Sequence, residues 1–259
     1  MKIAWAWLVR LVALLLVSLL ALQIYFFARI ALMRVVDPQS TTFQRSEAGR
    51  LLVTHGKILW SQEWRNYEQI SDHLKRAVIA SEDAGFADHS GVEWDALEQA
   101  FERNLRAQER AQQLNGRAEQ RPAASKKAAA PAPRAQAKLV GGSTITQQLA
   151  KNLFLSGERN IPRKAQEFVI TLMLETLLSK RRILEIYLNN VEWGEGIFGA
   201  QAAARHYFHV DAARLTPQQA AQLAVMLPAP KRFEKRPHST YVLGRAGTVM
   251  ARMAEVELP

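Results

Sequence analysis

An uncharged apolar run, LVALLLVSLLALQIYFFA at residues 11–28, constrains this chain more than any other feature of its sequence. As a helix rising 1.5 Å per residue it would be roughly 27 Å long, close to the ~30 Å hydrocarbon thickness of a bilayer. A cleavable signal peptide is the competing interpretation, but the bulky YFF at 25–27 stands where a small-residue cleavage site is expected. We therefore predict an uncleaved transmembrane anchor over residues 10–30, after a short cytoplasmic N-terminus at residues 1–9.

A buried core helix is a second alternative for the apolar run. Trp5, Trp7 and Tyr25 lie near its ends, and aromatic side chains of this kind concentrate at membrane interfaces, which favours the bilayer. Positive charges flank both ends, so charge asymmetry says little about orientation. We expect the N-terminus inside and the rest of the chain outside.

The remaining sequence is typical of a mainly α fold. Cysteine is absent, which excludes disulfides, thiolate-bound metals and thiol nucleophiles. After residue 70, apolar residues recur at helical spacing between short polar breaks, so we predict one domain at 71–236 and a helical tail at 237–259. The predicted helix starts are Ser71, Gly91, Thr144, Pro162 and Thr216. A weak hairpin over 50–60, within a juxtamembrane region at 31–70, is the only strand candidate.

A basic, low-complexity segment interrupts the domain at residues 105–139. It contains eight Lys or Arg and two Glu, a charge of +6 out of the formal +10 of the whole chain. We interpret it as a solvated, mobile insertion because it has no apolar period that could form a core. Contact with anionic lipid or wall polymer is the alternative. Nucleic acid is not an expected partner, since aromatic residues are not interleaved with the charges.

Glu82 is the first candidate for chemistry, because it stands with Asp83, Phe86 and His89 where a helix is predicted to end. These three neighbours are candidates to bind the substrate. A carboxylate at a helix C-terminus faces the negative end of the helix dipole, which raises its pKa. The neighbouring Asp83 and burial against Phe86 would raise the pKa further, and a raised pKa makes a better proton acceptor near neutral pH. A solvated helix end is the alternative.

The segment GGSTITQQLAKN, residues 141–152, is a candidate anion site. Its glycines precede a helix N-terminus whose free N–H groups and hydroxyls favour negative charge, and a lysine follows within the helix. An ordinary loop and cap is the alternative. The candidate binding residues are Ser143, Thr144, Gln147, Gln148, Lys151 and Asn152.

A third cluster combines Arg159, Arg163 and Lys164 with Glu167. Arg163 and Glu167 are four residues apart and share one helix face, so a surface ion pair is the simple interpretation. Glu167, however, precedes the apolar FVITLML, and a carboxylate that enters a buried stretch is costly unless it is paired or used. We therefore include these four residues among the candidates.

Two further motifs do not indicate a cofactor. KRRILEIYLN, residues 180–189, alternates core and polar positions and is interpreted as structural. GEGIFG, residues 194–199, matches a dinucleotide-binding pattern by letter, but we expect a helical segment before it instead of the required strand. We attribute its glycines to close passage of helices. The six histidines show no zinc-ligand spacing, so no dedicated metal site is predicted.

In their order along the chain, five segments resemble the family 51 peptidoglycan glycosyltransferases, the domain at the front of class A penicillin-binding proteins. The segments are EDAGFADHSG, GGSTITQQLAKNLF, RKAQE, KRRILEIYLN and GEGIFGAQAAARHYF. The resemblance covers about residues 70–230 apart from the insertion. LAVMLPAPKRFEKRPHS is similar to stand-alone members of the family, and we expect no transpeptidase domain after Pro259.

The resemblance implies a lysozyme-like glycosyltransferase fold with a small jaw subdomain directed toward the membrane. It implies that Glu82 deprotonates the C4 hydroxyl of an acceptor sugar, which attacks the anomeric carbon of the growing chain. Lys151, Arg159 and Arg163 are similar to residues that hold the pyrophosphate, and Glu167 to a second carboxylate that assists its departure. No cofactor is required, although a Mg²⁺ or Mn²⁺ ion at Glu167 is the second route by which that carboxylate could act.

The implied substrates are lipid II and the growing glycan strand, and the implied location is the bacterial inner membrane with the catalytic domain in the periplasm. Cell-division or elongation proteins are the expected protein partners. A lysozyme-like lytic enzyme that cleaves peptidoglycan is one alternative function. A non-catalytic wall-assembly scaffold is another, which the presence of both Glu82 and Glu167 disfavours.

Overall fold

The computed structural model describes residues 2–119, 142–155 and 160–259, and confirms the mainly α fold. The helices are α1 (Lys2–Leu32), α2 (Thr42–His55), α3 (Asp72–Glu82), α4 (Trp94–Glu119), α5 (Ile145–Phe154), α6 (Ile161–Leu177), α7 (Lys180–Asn190), α8 (Ala200–Phe208), α9 (Pro217–Met226), α10 (Pro230–Phe233) and α11 (Thr240–Met253). Strands β1 (Glu192–Gly194) and β2 (Ile197–Phe198) pair antiparallel, and short 3-10 turns lie at Tyr67–Gln69 and Ala212–Arg214.

α1 extends the predicted anchor into the folded domain. Among the described residues, it is the one helix long and apolar enough to cross a membrane, over Trp5–Leu32. Its side chains from 5 to 22 are exposed, which a buried core helix would not allow. Phe26 and Ile30, by contrast, are buried, and the end of the helix packs against α6. The apolar helix is therefore joined to the domain by side-chain packing as well as by the chain.

The core of the domain forms where α3, α9 and α11 pack on one another, while α5 packs on both α6 and α7. Leu74 and Val78 of α3 are fully buried, as the helical period predicts. Ser71 caps α3, and Thr144 and Thr216 each form a capping box with the glutamine three residues later. The helix starts predicted at these positions are thus confirmed.

The chain divides into two compact units, Met1–Gly91 with Thr144–Pro259, and Val92–Ser143. The helix of the second unit, α4, begins shortly after Gly91 as predicted but continues to Glu119. Residues 105–119 are therefore helical, and the mobility of the insertion stays a prediction. Residues 120–139 lie outside the described part of the chain.

The hairpin considered for residues 50–60 is wrong. Residues as far as His55 belong to α2, which the capping box at Thr41 and Gln44 starts and which Gly56 ends in a left-handed conformation. Two short apolar stretches around a glycine resembled a hairpin. The helix prevails because its N-terminus is fixed by a cap that precedes the pattern considered.

The two short strands occur instead at the GEGIFG motif, where β1 ends at the first glycine and β2 lies inside the motif. Gly194 ends β1, and Gly196, with φ +73°, turns the chain toward β2. Ser61 forms an isolated bridge with Ile197, so the chain before the domain pairs with this hairpin. The expected close passage of helices therefore does not account for Gly196, whose close neighbour is the backbone of Leu59.

Gly196→Ala is expected to destabilise the protein. A Cβ at this position would lie 2.3 Å from the carbonyl oxygen of Leu59, and its φ of +73° is a strained conformation for alanine. The left-handed conformation alone costs roughly 1–2 kcal/mol, so we expect the free energy of unfolding to fall by about 2 kcal/mol or more. Chemical denaturation measures this loss.

Gly247→Ala is the matched control, because a Cβ there meets nothing within 4 Å. Within α11 it should raise the free energy of unfolding by roughly 0.5–1 kcal/mol. Equal stability of the two alanine variants would contradict the assigned role of Gly196.

Candidate active site

Glu82 is the last residue of α3 and is partly buried, as predicted for a helix end beside an apolar side chain. Its Oε2 accepts a hydrogen bond of 2.9 Å from Nε2 of Gln148 on α5. Burial raises the pKa of Glu82, the bond from Gln148 lowers it, and the negative charge of Asp83 raises it again, with a net increase. The side chain is therefore a carboxylate with enhanced proton affinity, held by an uncharged donor.

Asp83 is buried and joins two segments of the chain. Its Oδ1 lies 2.7 Å from Nε2 of His89, and its Oδ2 accepts the backbone N–H of Ile145 at 2.9 Å. Because Ile145 is the first residue of α5, Asp83 connects the end of α3 to the start of α5. This connection brings Glu82 and Gln148 together.

The tautomer of His89 follows from its second bond. The backbone N–H of Gly91 donates to Nδ1 at 3.0 Å, so Nδ1 is an acceptor and the neutral ring carries its proton on Nε2. That proton is donated to Asp83. His89 thus bonds to Asp83 and is occupied on both ring nitrogens by protein groups.

Lys180 extends this network to α6 and α7. Its ammonium donates to the backbone carbonyl of His89 at 2.5 Å and to Glu175 at 2.9 Å, and lies 4.6 Å from the centroid of the Phe86 ring. Phe86 itself is fully buried. Phe86 and His89 are therefore held by protein groups next to Asp83, and their predicted contacts with substrate stay predictions.

Protein groups accept three N–H bonds at the N-terminus of α5, those of Thr144, Ile145 and Gln147. Thr144 and Gln147 bond reciprocally as a capping box, and the next N–H, that of Ile145, donates to Asp83. The Asp83 carboxylate is thus one anion bonded at this helix N-terminus, and the anion site predicted for the segment stays a prediction. Thr144 also donates to the carbonyl of Gly91 at 2.7 Å. Substrate contacts of Thr144 and Gln147 stay predictions.

α5 and α6 form an antiparallel pair. Thr146 in the first turn of α5 donates to Glu175 near the end of α6, at 2.5 Å, and the two helices pack together. Lys151, in the second half of α5, therefore lies toward the same end of the pair as Arg163 and Glu167 in the first turns of α6. Glu167 is two turns, roughly 12 Å, along α6 from Glu175.

Glu167 is 3% exposed and carries two cations. Nη1 of Arg163 donates to its Oε2 at 2.7 Å, and the ammonium of Lys164 pairs with its Oε1. Both carboxylate oxygens are thus occupied, which is how the fold compensates a buried charge. A divalent ion at Glu167 would share one of these oxygens with Arg163 or Lys164, and the predicted ion stays a prediction.

The structure separates the candidates into two groups. Glu82 and Asp83 with their partners lie at the start of α5, and Arg163, Lys164 and Glu167 lie at the start of α6. Asn152 is half-buried in the last turn of α5. Ser143 belongs to the second unit. Arg159 and Gly141 lie outside the described residues.

Sequence reasoning missed Thr146 and Glu175, and it interpreted Lys180 and Tyr187, both in KRRILEIYLN, as structural. Tyr187 is buried on α7 and donates from its hydroxyl to Oε1 of Gln148 at 3.0 Å. The spacing of Glu167 and Glu175, eight residues apart on one face of α6, was a signal available in the sequence. The contact between Tyr187 and Gln148 had none, because 39 residues separate them.

The sequence matches the family described as Transglycosylase over residues 53–114 and 121–254. The chain belongs to the transglycosylase family. It is similar over nearly its whole length to proteins named biosynthetic peptidoglycan transglycosylase. Identity is 46% with the relative in Paraburkholderia phytofirmans (98% of this chain, 94% of that protein), 47% in Cupriavidus metallidurans (98% and 99%) and 46% in Azoarcus sp. BH72 (100% of both).

Membership of the transglycosylase family confirms the family resemblance and the enzyme class predicted from the five motifs. The matched ranges include Glu82, Asp83, Gln148 and Glu167. Both groups of candidates therefore belong to the transglycosylase domain. The roles of individual residues stay predictions.

Thr144→Val is expected to lower the free energy of unfolding by about 2–3 kcal/mol. The substitution keeps the shape of the side chain but removes the cap of α5, worth roughly 1 kcal/mol, and leaves the Gly91 carbonyl without its buried donor. Thr216→Val, at the exposed cap of α9, should cost only about 1 kcal/mol. Urea denaturation of both variants tests the difference, and equal losses would show that the bond to Gly91 adds nothing.

Proposed function

We propose that this protein polymerises lipid II into the β-1,4 glycan strands of peptidoglycan, with inversion at the anomeric carbon and release of undecaprenyl pyrophosphate. The proposal rests on two groups of residues at opposite ends of the α5–α6 pair. Glu82, a carboxylate of raised pKa on α3, lies beside the start of α5. The cations Arg163 and Lys164 lie at the start of α6. A sugar transfer from a pyrophosphate carrier needs a base for the acceptor and positive charge for the leaving group.

In the proposed reaction, Glu82 takes the proton from the C4 hydroxyl of the acceptor sugar. The oxygen attacks the anomeric carbon of the donor from the face opposite the pyrophosphate, and the bond from that carbon to the pyrophosphate oxygen breaks. The leaving oxygen keeps the electron pair. The bond from Gln148 keeps Glu82 oriented without adding a positive charge that would weaken it as a base.

The departing pyrophosphate is bound, in this proposal, by Lys151, Arg163 and Lys164. Glu167 holds Arg163 and Lys164 at the start of α6, so that their charges are in place before the substrate arrives. In this proposal these cationic side chains stabilise the leaving group. Such cations have no corresponding use in a lytic enzyme that acts on uncharged glycosidic bonds.

The proposed location is the inner membrane, with a single pass and the catalytic domain in the periplasm. Gln23 of α1 and Gln166 of α6 exchange hydrogen bonds of 2.9 and 3.0 Å. Gln166 is adjacent to Glu167, so the apolar helix is bonded directly to the element that bears the cations. A lipid-linked substrate confined to the bilayer would meet a tethered enzyme at a raised effective concentration.

Glu82→Gln is expected to reduce polymerisation of lipid II by roughly 10²–10⁴-fold, because the amide cannot accept the proton. Fluorescent lipid II and gel separation of the glycan products measure the activity, and circular dichroism checks the fold. Glu255→Gln, an exposed carboxylate in the C-terminal segment, is the matched control and should retain activity. Unchanged polymerisation by Glu82→Gln would remove this residue from the mechanism. Shortening of preformed glycan by the unmodified protein, with lipid II left intact, would replace synthesis by cleavage.

Lys164→Gln is expected to raise KM for lipid II by roughly tenfold, the loss of one charge-assisted bond to phosphate. Lys164 is half-exposed, so its replacement should leave the fold intact. Lys235→Gln, an exposed lysine after α10, is the control of equal charge change and should leave KM unaltered. An equal effect of the two substitutions would indicate general electrostatic attraction in place of a pyrophosphate site.

A further inference from the structure

Three side chains from three helices form a continuous chain of hydrogen bonds that ends at Glu82. The hydroxyl of Tyr187 on α7 donates to Oε1 of Gln148 at 3.0 Å. Nε2 of the same amide, on α5, donates to Oε2 of Glu82 at 2.9 Å. Tyr187 is 1% exposed, so the chain begins inside the core and ends at the partly buried carboxylate.

The two ends of the Gln148 amide differ in chemistry, so the orientation of the amide decides which group faces Glu82. The NH₂ end donates and the oxygen end only accepts, while an ionised carboxylate accepts only. With its oxygen toward Tyr187 the amide offers its N–H to Glu82. With the amide rotated by half a turn, an oxygen would face the carboxylate, a contact that is favourable only when Glu82 is protonated.

We propose that Tyr187 is a positioning residue that fixes the Gln148 amide and thereby keeps Glu82 ionised for its action as a base. This inference rests on the proposed function. Tyr187 does not touch the reacting atoms in this scheme. It acts through Gln148 alone, by donating to the oxygen end of the amide.

The hydroxyl of Tyr187 remains a donor throughout the working pH range. Burial raises its pKa well above the usual value, and the negative charges of Glu82 and Asp83 raise it further. Loss of the tyrosine proton therefore does not compete with donation to Gln148.

The other charged groups around Glu82 do not replace the effect of Tyr187 on its ionisation. Asp83, adjacent in sequence, opposes ionisation of Glu82, and α5 contributes Lys151 about one turn beyond Gln148. α9, which packs on α3, has no ionisable side chain. α11 also packs on α3, and its ionisable side chains are exposed. They are Tyr241, Arg245 and Arg252.

Tyr187→Phe isolates the hydroxyl, because the ring and its packing are retained. Tyr207→Phe is the matched control: it removes a hydroxyl that donates to the carbonyl of Trp193 at 2.8 Å, away from Glu82. Polymerisation of lipid II is measured from pH 4 to 9 for both variants and the unmodified protein, with the fold checked by circular dichroism.

The acidic limb of the Tyr187→Phe profile is expected to move to higher pH by about half a unit to one unit, since Glu82 loses an oriented donor and its pKa rises. On that limb the variant should be roughly three- to tenfold less active than the unmodified protein, beyond any difference at the plateau. Tyr207→Phe should keep its limb in place. A uniform loss at all pH values, or equal limbs for both variants, would overturn the proposal.

Gln148→Met provides the test if Tyr187→Phe does not fold, because it removes the donor while keeping the length of the side chain. Its acidic limb should move in the same direction, and an unmoved limb would overturn the proposal. The carboxyl titration of Glu82 can also be followed without substrate, as the infrared difference between each protein and its Glu82→Gln counterpart. A protein that failed to polymerise lipid II would contradict the proposed function, while this titration would still decide the role of Tyr187.

Discussion

The arrangement of the candidate active site depends on the two hydrogen bonds that the Asp83 carboxylate accepts. One oxygen accepts from His89 and the other from the backbone N–H of Ile145, so both ends of a buried charge are satisfied. This carboxylate joins the end of α3 to the start of α5. Glu82 and Gln148 are its neighbours on those two helices, and their contact exists because the helix ends are joined.

The antiparallel pair of α5 and α6 keeps two incompatible requirements apart. A base must retain affinity for a proton, and cations beside it would lower its pKa. A pyrophosphate, by contrast, needs cations close by. The uncharged Gln148 bonds to Glu82 near one end of the pair, while Arg163 and Lys164 gather on Glu167 near the other. The two ends of this helix pair thus provide an uncharged donor for the base and cations for the pyrophosphate.

The apolar helix α1 packs against the same pair of helices. Its last turns are buried against the domain, where Phe26 packs edge-on against Phe154 at the end of α5. The bonds between Gln23 and Gln166 hold it to α6. In the proposed membrane location, an anchor fixed in this way would set the position of α6 relative to the bilayer, which a flexible linker would leave undetermined.

The sequence by itself determined the local features of this protein. The capping pattern of Thr144 and Gln147, the apolar period of α3 and the run at 11–28 each depend on residues a few positions apart, and the structure confirms the helices they predict. The contacts of Arg163 and Lys164 with Glu167 could also be predicted from the sequence, because a spacing of three or four residues places these side chains on one helix face.

Only the tertiary structure decided which of these local features meet. It paired Asp83 with Ile145 and Tyr187 with Gln148. A protein carboxylate therefore bonds to the N-terminus of α5, where the sequence predicted a site for an external anion. It also replaced the hairpin expected at 50–60 by the end of α2. Hydrogen bonds between residues 39 or 62 positions apart depend on how the helices pack, and no local pattern in the chain encodes that packing.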